Sequence, residues 1–102
     1  MTTAKLAPTA RRELNAIVRW IAKDHPTSAR AFRDIVVRAA ERIGTHPLIG
    51  ALRPELTNAQ YRFVVLTGFP YLIVYEPSRK PPVIVRIIHS ARDLPRAFRD
   101  LL

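Results

Sequence analysis

The chain has 102 residues, a length typical of a single domain, and it contains no cysteine, which excludes disulfides, thiol catalysis and cysteine-based metal sites. Seventeen Lys and Arg residues against eight Asp and Glu residues give a net charge of +9, spread along the whole sequence. A basic folded domain suggests an acidic partner, either nucleic acid or an acidic protein segment. An organism with arginine-rich proteins would produce the same balance.

Nothing in the sequence divides the chain or directs it to a membrane. No stretch approaches the ~18 consecutive apolar residues of a membrane span, and the first residues lack the apolar segment of a secretory signal. There is no internal repeat and no low-complexity tract. We therefore expect a single cytoplasmic domain over residues 1–102, with no membrane contact.

Two amphipathic helices are predicted in the first half of the chain. Met1–Ala7 is either a short edge strand or a loose start, and Pro8 then suits the first turn of a helix because its missing N–H needs no partner there. Apolar residues recur at helical spacing, at Ala10, Leu14, Ile17, Val18 and Ile21. The His25-Pro26 step ends this helix, because the residue before a proline is displaced from the helical conformation.

The second helix is predicted to begin at Pro26, or behind a cap at Thr27 or Ser28, and to end at Gly44 as a left-handed stop. Its apolar positions again have helical spacing, at Ala29, Phe32, Val36, Ala39, Ala40 and Ile43. Since only a few residues join the two helices, they should pack as an antiparallel hairpin. Trp20 lies off the apolar stripe of the first helix, and we expect it to pack against a neighbouring element.

The second half of the chain predicts an antiparallel sheet after a connector over Thr45–Ala59. The predicted strands are Tyr61–Leu66, Tyr71–Glu76 and Val83–Ile88. The last strand is a run of β-branched residues interrupted by Arg86, and a charge there is costly unless it meets solvent or a partner. The apolar spacing of Leu94–Leu102 predicts a short terminal helix. The expected architecture is α+β, with the helix hairpin covering one face of the sheet.

The polar cluster His89–Asp93 follows the last strand, at a place where a rigid scaffold often presents functional groups. His89 together with Arg62, Arg86 and Arg92 is the one credible catalytic set. Arginines could hold a phosphate while a histidine moves a proton, as RNA cleavage requires. The interpretation we favour is that this cluster terminates the sheet through side-chain hydrogen bonds.

Other catalytic arrangements have no support in the sequence. His25, His46 and His89 are far apart and lack a ligand spacing, so we expect no metal. Ser90, His89 and Asp93 are sequence neighbours without the glycine pattern of a nucleophile elbow, so we do not expect a catalytic triad.

A series of short motifs runs through the chain in a fixed order: Leu6-Ala7-Pro8, Ala10–Leu14, Ile17–Ala22, His46–Gly50, Arg53–Leu56, Tyr61-Arg62, Tyr71–Tyr75 and Ile87–Asp93. Together they resemble the ParE branch of the RelE/ParE toxin superfamily, over almost the whole length. The resemblance implies a β-α-α-β-β-β fold with Lys5-Leu6-Ala7 as the first strand. It implies no cofactor.

The resemblance also implies a toxin of a type II toxin–antitoxin pair, whose relatives act in two ways. RelE-like members cleave mRNA on the ribosome, whereas ParE-like members inhibit DNA gyrase without a known hydrolytic site. The ribonucleases share a Tyr-Arg-Leu-Val-Tyr strand with a functional Arg, and a Tyr near the C-terminus. Here Leu72 occupies the Arg position and no Tyr follows Tyr75. Because leucine cannot hold a phosphate, we expect a ParE-like toxin that inhibits gyrase by stoichiometric binding.

Two alternatives remain open: a ribosome-dependent mRNA endoribonuclease that uses His89, and an inactive homologue that only binds its antitoxin. The partners implied by the resemblance are gyrase and a cognate acidic, DNA-binding, ParD-like antitoxin in a hetero-oligomer. No sequence-specific DNA binding is expected of this chain alone. The candidate contact residues are Trp20, Arg12, Arg19, Arg33, Arg92 and Phe98. A solvated helix face is the alternative interpretation of the helix arginines.

Overall fold

The computed structural model describes residues 2–55 and 60–93, which form two helices packed on one sheet. The helices are α1 (Pro8–Ala22) and α2 (Pro26–Thr45). The strands are β1 (Lys5–Leu6), β2 (Ala51–Leu52), β3 (Arg62–Val65), β4 (Tyr71–Glu76) and β5 (Val83–His89). This order confirms the α+β class and the predicted helix hairpin on a sheet.

The five strands are arranged in the order β1-β5-β4-β3-β2. The pairs from β2 to β5 are antiparallel, whereas β1 pairs in parallel with β5, with Lys5 opposite Val83. The first residues are therefore an edge strand, as one of the two interpretations of Met1–Ala7 predicted. The short strand β2 was not predicted, because it lies inside the expected connector and both of its residues are exposed.

The main core lies between the helices and the sheet. Its buried members include the predicted helix stripes, with Leu14, Phe32, Val36 and Ile43, and the strand residues Tyr71, Ile73, Tyr75, Ile84 and Ile87. A second apolar cluster contains Phe63, Leu72, Val74 and Ile88. Since successive strand residues point to opposite faces, the central strand β4 contributes alternately to both clusters and is buried along its length.

Gly44 does not end α2, contrary to the prediction. The helix continues to Thr45, and Gly44 keeps a helical conformation. The absent side chain instead admits the N-terminal segment, because a Cβ at Gly44 would lie 2.7 Å from Thr3 Cα. The Ala4 N–H donates to the Ala40 carbonyl, 2.9 Å away, and this bond fixes the segment against α2. The glycine therefore serves close backbone packing and not a turn.

Candidate functional site

A groove lies between α1 and the carboxyl end of β5, and we refer to it as the Trp20 groove. Its volume is about 310 Å³. The lining comes from α1 (Glu13, Ala16, Ile17, Trp20), from the strands (Tyr71, Ile87) and from the turn after β5 (Arg92, Asp93). A groove of this size, apolar with a few charged groups, suits the side chains of a binding partner.

Glu13 and Arg86 form an ion pair that joins α1 to β5. Arg86 Nε and Nη2 lie 3.0 and 2.9 Å from Glu13 Oε2, and both side chains are about one-fifth exposed. Glu13 Oε1 also accepts a hydrogen bond from the Ile87 N–H at 2.9 Å. The charge inside the apolar strand thus has a partner, and the same carboxylate satisfies an N–H on the outer edge of β5.

The chain leaves β5 through a turn that His89 and Asp93 hold together. His89 Nδ1 accepts hydrogen bonds from the N–H groups of Ala91 and Arg92, at 3.2 and 3.1 Å. Asp93 Oδ2 accepts from the His89 N–H at 3.3 Å. These contacts confirm that the cluster terminates the sheet. The Nδ1 atom of the ring is thus engaged as an acceptor within the turn.

Trp20 does not pack against a neighbouring element, contrary to the prediction. Its side chain is 64% exposed beside the groove. Lys23 Nζ lies 5.4 Å from the centroid of its ring, within cation–π distance. An exposed tryptophan next to a groove is typical of an interaction hot spot, because burying a large aromatic side chain contributes much binding energy.

The other predicted contact residues are dispersed over the surface. Arg12 and Arg19 are exposed on α1, and Arg33 is exposed on α2. Among the predicted contact residues that the structure describes, only Arg92 lines the groove together with Trp20. Outside the described residues lie Phe98 and the predicted terminal helix Leu94–Leu102.

The four residues of the possible nuclease set do not come together. Arg62 lies opposite the fifth residue of β4, whereas His89 lies opposite the first. Four strand residues correspond to a separation of ~13 Å along the sheet. Arg86 is paired with the Glu13 carboxylate, and Arg92 contacts His89 through its backbone N–H in the turn.

Arg62 and Tyr75 together hold the connector that follows α2. Arg62 Nη1 donates to the carbonyls of Leu48 and Gly50, at 3.2 and 2.7 Å. The Tyr75 hydroxyl donates to the Pro47 carbonyl at 2.6 Å and accepts from the Gly50 N–H at 2.9 Å. A Cβ at Gly50 would lie 2.7 Å from Tyr75 Cε1, so glycine is needed there. Burial raises the pKa of the Tyr75 phenol, against the opposing influence of the Gly50 N–H and of Arg62.

Within residues 2–55 and 60–93, neither a metal cluster nor a membrane-spanning helix occurs. No group of three or more His, Asp or Glu side chains there could hold a metal ion. Neither helix is long and apolar enough to cross a membrane. The three histidines lie on separate parts of the fold, since His25 and His46 flank the two ends of α2 and His89 ends β5.

Comparison with known proteins decides the family. The family model described as ParE toxin of type II toxin-antitoxin system, parDE, matches residues 4–94. The chain belongs to the ParE toxin family. The resemblance inferred from the motifs is thereby confirmed, and the matched region contains every described helix and strand of the ParE fold.

Two individual proteins are similar to this ParE-family chain. Toxin RelE3 of Caulobacter vibrioides is 30% identical over 90 residues, which cover 88% of this chain and 96% of that protein. A chain of the chromosomal ParDE TA system from P. aeruginosa shares the fold, with a TM-score of 0.70 and 22% identity over 87% of this chain and 96% of that chain. One name contains RelE and the other ParDE, so the names do not distinguish mRNA cleavage from gyrase inhibition.

The sequence pattern did not reveal the role of Glu13 in this ParE-family fold. A signal was present, because Glu13 lies three positions after Ala10 and four before Ile17, on the flank of the apolar stripe of α1. A carboxylate there is partly buried when the helix packs. Together with the single arginine in a buried strand, it would have indicated an ion pair between α1 and β5.

Proposed function

We propose that this ParE-family toxin inhibits DNA gyrase by stoichiometric binding, trapping it on cleaved DNA, and that a cognate acidic antitoxin neutralises it. Family membership establishes the type II toxin class. The target, the non-catalytic mode of action and the antitoxin chemistry are the proposal. The observation that carries it is the environment of Leu72.

Leu72 occupies the strand position at which ribonuclease members of the superfamily have a functional arginine. Its side chain is 2% exposed, in the apolar cluster with Phe63, Val74 and Ile88. A buried aliphatic side chain offers nothing to a phosphate, and this supports binding over phosphoryl chemistry. The engagement of Arg62 by backbone carbonyls supports the same conclusion, because that guanidinium already has partners.

The Trp20 groove supports a role in binding the target. It combines an exposed indole with Arg92 and Asp93 on the turn after β5. Its lining contains one arginine and two carboxylates, so it is not selective for an acidic partner. We therefore assign the target contact, and not the acidic antitoxin, to this groove.

A supercoiling assay tests the proposal. Purified chain is titrated into gyrase and relaxed plasmid, and we expect supercoiling to stop near equimolar toxin while linear DNA accumulates. Trp20→Ala should weaken inhibition by about thirtyfold, as expected for a hot spot. The matched control is Val37→Ala, since Val37 is a 50% exposed apolar residue on α2, away from the groove. Uninterrupted supercoiling at excess toxin would overturn the proposal.

An mRNA endoribonuclease is the second candidate. It is favoured by the name of the relative Toxin RelE3 and by the turn that holds the Arg92 backbone against His89. In that case the chain cuts ribosome-bound mRNA, and His89→Ala or Arg92→Ala abolishes the cutting. Growth arrest on induction of the chain alone would exclude an inactive homologue that only binds its antitoxin.

A further inference from the structure

We propose that the outer face of α1 binds the phosphate backbone of double-stranded DNA. We refer to the three cations that define this face, Arg12, Arg19 and Lys23, as the α1 stripe. The inference rests on the proposed function only for its setting, the DNA that gyrase holds. Binding of DNA by the chain itself is measured without gyrase.

The α1 stripe is a straight row of charges on a rigid element. Lys23 directly follows the helix and keeps helical backbone angles, with φ −56° and ψ −40°. With 3.6 residues per turn, positions 12, 19 and 23 lie within ~40° of one another around the helix axis and extend over ~16 Å along it. All three side chains are exposed, on the side opposite the buried Ala10 and Leu14.

The chain does not neutralise the charges of the α1 stripe. No ion pair within residues 2–55 and 60–93 includes one of its cations. Arg12 Nη2 donates to the uncharged Thr9 hydroxyl at 3.2 Å, and Lys23 Nζ lies over the ring of Trp20. The one acidic residue of α1 is Glu13, and its carboxylate is bound to β5 on the inner side of the helix. The three charges are therefore available to a ligand.

Helix stability does not explain this arrangement. The first turn of α1 contains no acidic residue, and Arg11 and Arg12 lie near the amino end of the helix. A cation there lowers helix stability, because the positive end of the helix dipole favours negative charge. On α2 the arrangement differs, since Asp34 lies four positions from both Arg30 and Arg38, the spacing of a stabilising pair. The cations of α1 have no such compensation.

A row of this kind matches the backbone of a duplex. DNA carries about one phosphate per 1.7 Å of its axis, so a stripe of ~16 Å lies beside enough phosphates to give each cation one. The planar guanidinium groups of Arg12 and Arg19 can each bind two phosphate oxygens. Contacts to the backbone carry no sequence information. Such binding agrees with the expectation that this chain alone does not bind DNA in a sequence-specific way.

An acidic polypeptide fits the α1 stripe less well. A disordered acidic segment loses conformational entropy on binding and needs apolar anchors to offset that loss. The positions between the cations offer few anchors, since Asn15 and Ala16 lie there. A duplex is already ordered, so charge contacts alone are sufficient for non-specific binding.

The α1 stripe and the Trp20 groove lie on neighbouring faces of one helix. Arg19 precedes Trp20, and successive helix positions are ~100° apart around the axis. A toxin that touches gyrase through the groove therefore presents the stripe to one side of that contact. Simultaneous contact with two linked partners strengthens binding to the pair over binding to either one. The stripe would thus favour gyrase that holds DNA, as trapping on cleaved DNA requires.

Fluorescence anisotropy with a labelled duplex of about 30 bp, between about 50 and 200 mM salt, tests the inference without gyrase. The α1 double variant, Arg12→Gln with Arg19→Gln, removes two charges of the stripe, whereas Arg12→Lys with Arg19→Lys keeps them. The matched control is the α2 double variant, Arg30→Gln with Arg38→Gln, which makes the same charge change at exposed positions of the other helix. Circular dichroism checks that each variant is folded.

The salt dependence counts the phosphate contacts. We expect the logarithm of the binding constant to fall against the logarithm of salt concentration with a slope of about −3 for the native chain and about −1 for the α1 double variant. At about 50 mM salt the α1 double variant should bind at least about tenfold more weakly, while the lysine and α2 variants stay within about threefold. Equal losses in the α1 and α2 double variants, or no binding by the native chain, would overturn the inference.

Competition separates the classes of partner. Unlabelled duplex should displace the labelled duplex at a lower concentration than poly-glutamate or single-stranded RNA of equal charge. If poly-glutamate is the better competitor, the stripe takes an acidic polypeptide and the inference is wrong. If RNA is the better competitor, the stripe is not a duplex site and the inference is equally wrong.

The supercoiling assay keeps this inference distinct from the proposed function. If the chain stops supercoiling without binding the duplex, the inference fails and the proposed function stands. If the chain binds the duplex through the stripe while supercoiling continues at excess toxin, the inference stands and the proposed function fails. Where both hold, the α1 double variant should inhibit gyrase about tenfold more weakly than the native chain.

Discussion

The two sides of the sheet are finished differently beyond their short edge strands. On the β5 side, past β1, the N–H groups of Ile87 and His89 donate to carboxylates of the chain itself. The acceptors are Glu13, at 2.9 Å, and Asp93, at 3.3 Å. On the β3 side, past β2, Val65 is 71% exposed. It lines a groove between β3 and α2 together with Arg38 and Arg42 of α2.

The difference shows how a small sheet can restrict where it pairs with another chain. An unblocked strand edge is a template for further strands, so closing the β5 edge limits where this sheet can pair. The chain has only eight Asp and Glu residues, and Glu13 and Asp93 are two of them. Two of these scarce carboxylates lie on the β5 edge, whereas Glu41 is the one acidic residue that lines the groove beside the β3 edge.

The largest effect is expected from Glu13→Ala, which breaks the closed edge. It leaves the Arg86 guanidinium without its carboxylate and the Ile87 N–H without an acceptor. We expect a loss of about 2–3 kcal/mol in the free energy of unfolding, because the partly buried Arg86 charge loses this carboxylate and the Ile87 N–H loses its acceptor. Urea denaturation measures it.

The double variant Glu13→Ala with Arg86→Met is the control for that loss. It removes the charge that Glu13 no longer balances and should recover part of the stability. If Glu13→Ala alone changes the free energy of unfolding by less than about 0.5 kcal/mol, the pair does not hold the edge closed.

A smaller effect is expected from Tyr75→Phe, which loosens the connector that leads into β2. The hydroxyl that donates to Pro47 and accepts from Gly50 is lost. We expect a loss of about 1–2 kcal/mol in the free energy of unfolding. Tyr61→Phe, at a half-buried tyrosine outside this contact, is the control and should be close to neutral.

The same tyrosine predicts a pH dependence. Burial raises the pKa of Tyr75 above its ordinary value of 10.0. Its contribution to stability is therefore complete below pH 10 and is lost as the pH rises through the raised value. Denaturation at several alkaline pH values should show this loss in the native chain and a smaller one in Tyr75→Phe. Equal slopes in both chains would refute the assignment.

The smallest effect is expected from Asp93→Ala, which opens only the end of the β5 edge. The lost hydrogen bond to the His89 N–H is long and partly exposed, so we expect about 0.5–1 kcal/mol. Hydrogen exchange gives a clearer local test: the His89 amide hydrogen should exchange faster, while the exchange rate of the Ile87 amide should not change. Faster exchange at both amides would mean that the two carboxylates do not act separately.

Sequence patterns predicted most of the fold because its elements repeat apolar residues at regular spacing. The stripes of α1 and α2 and the strands β3, β4 and β5 were all found in this way. The sheet-terminating role of His89 was also predicted, since its contacts are with residues two to four positions away. These features depend on neighbours in the sequence.

Features that depend on contacts between distant segments were missed. Gly44 was predicted to stop a helix, but it makes room for the segment at Thr3, more than forty positions earlier. The two exposed residues of β2 have no periodicity to detect. The exposure of Val65 depends on where β2 ends and not on the residues of β3. Trp20 was predicted to pack because tryptophan usually does, and its exposure became visible only with the groove.

Hydrogen exchange of the free chain tests the contrast between the two edges most directly. Ile87 and Val65 are a matched pair, since both are β-branched and both direct their N–H outward from the sheet. After correction for intrinsic rates, we predict that the Ile87 amide exchanges at least about tenfold more slowly than the Val65 amide, and that Glu13→Ala removes most of the difference. Equal protection of the two amides in the native chain, or an Ile87 amide indifferent to Glu13→Ala, would contradict the account.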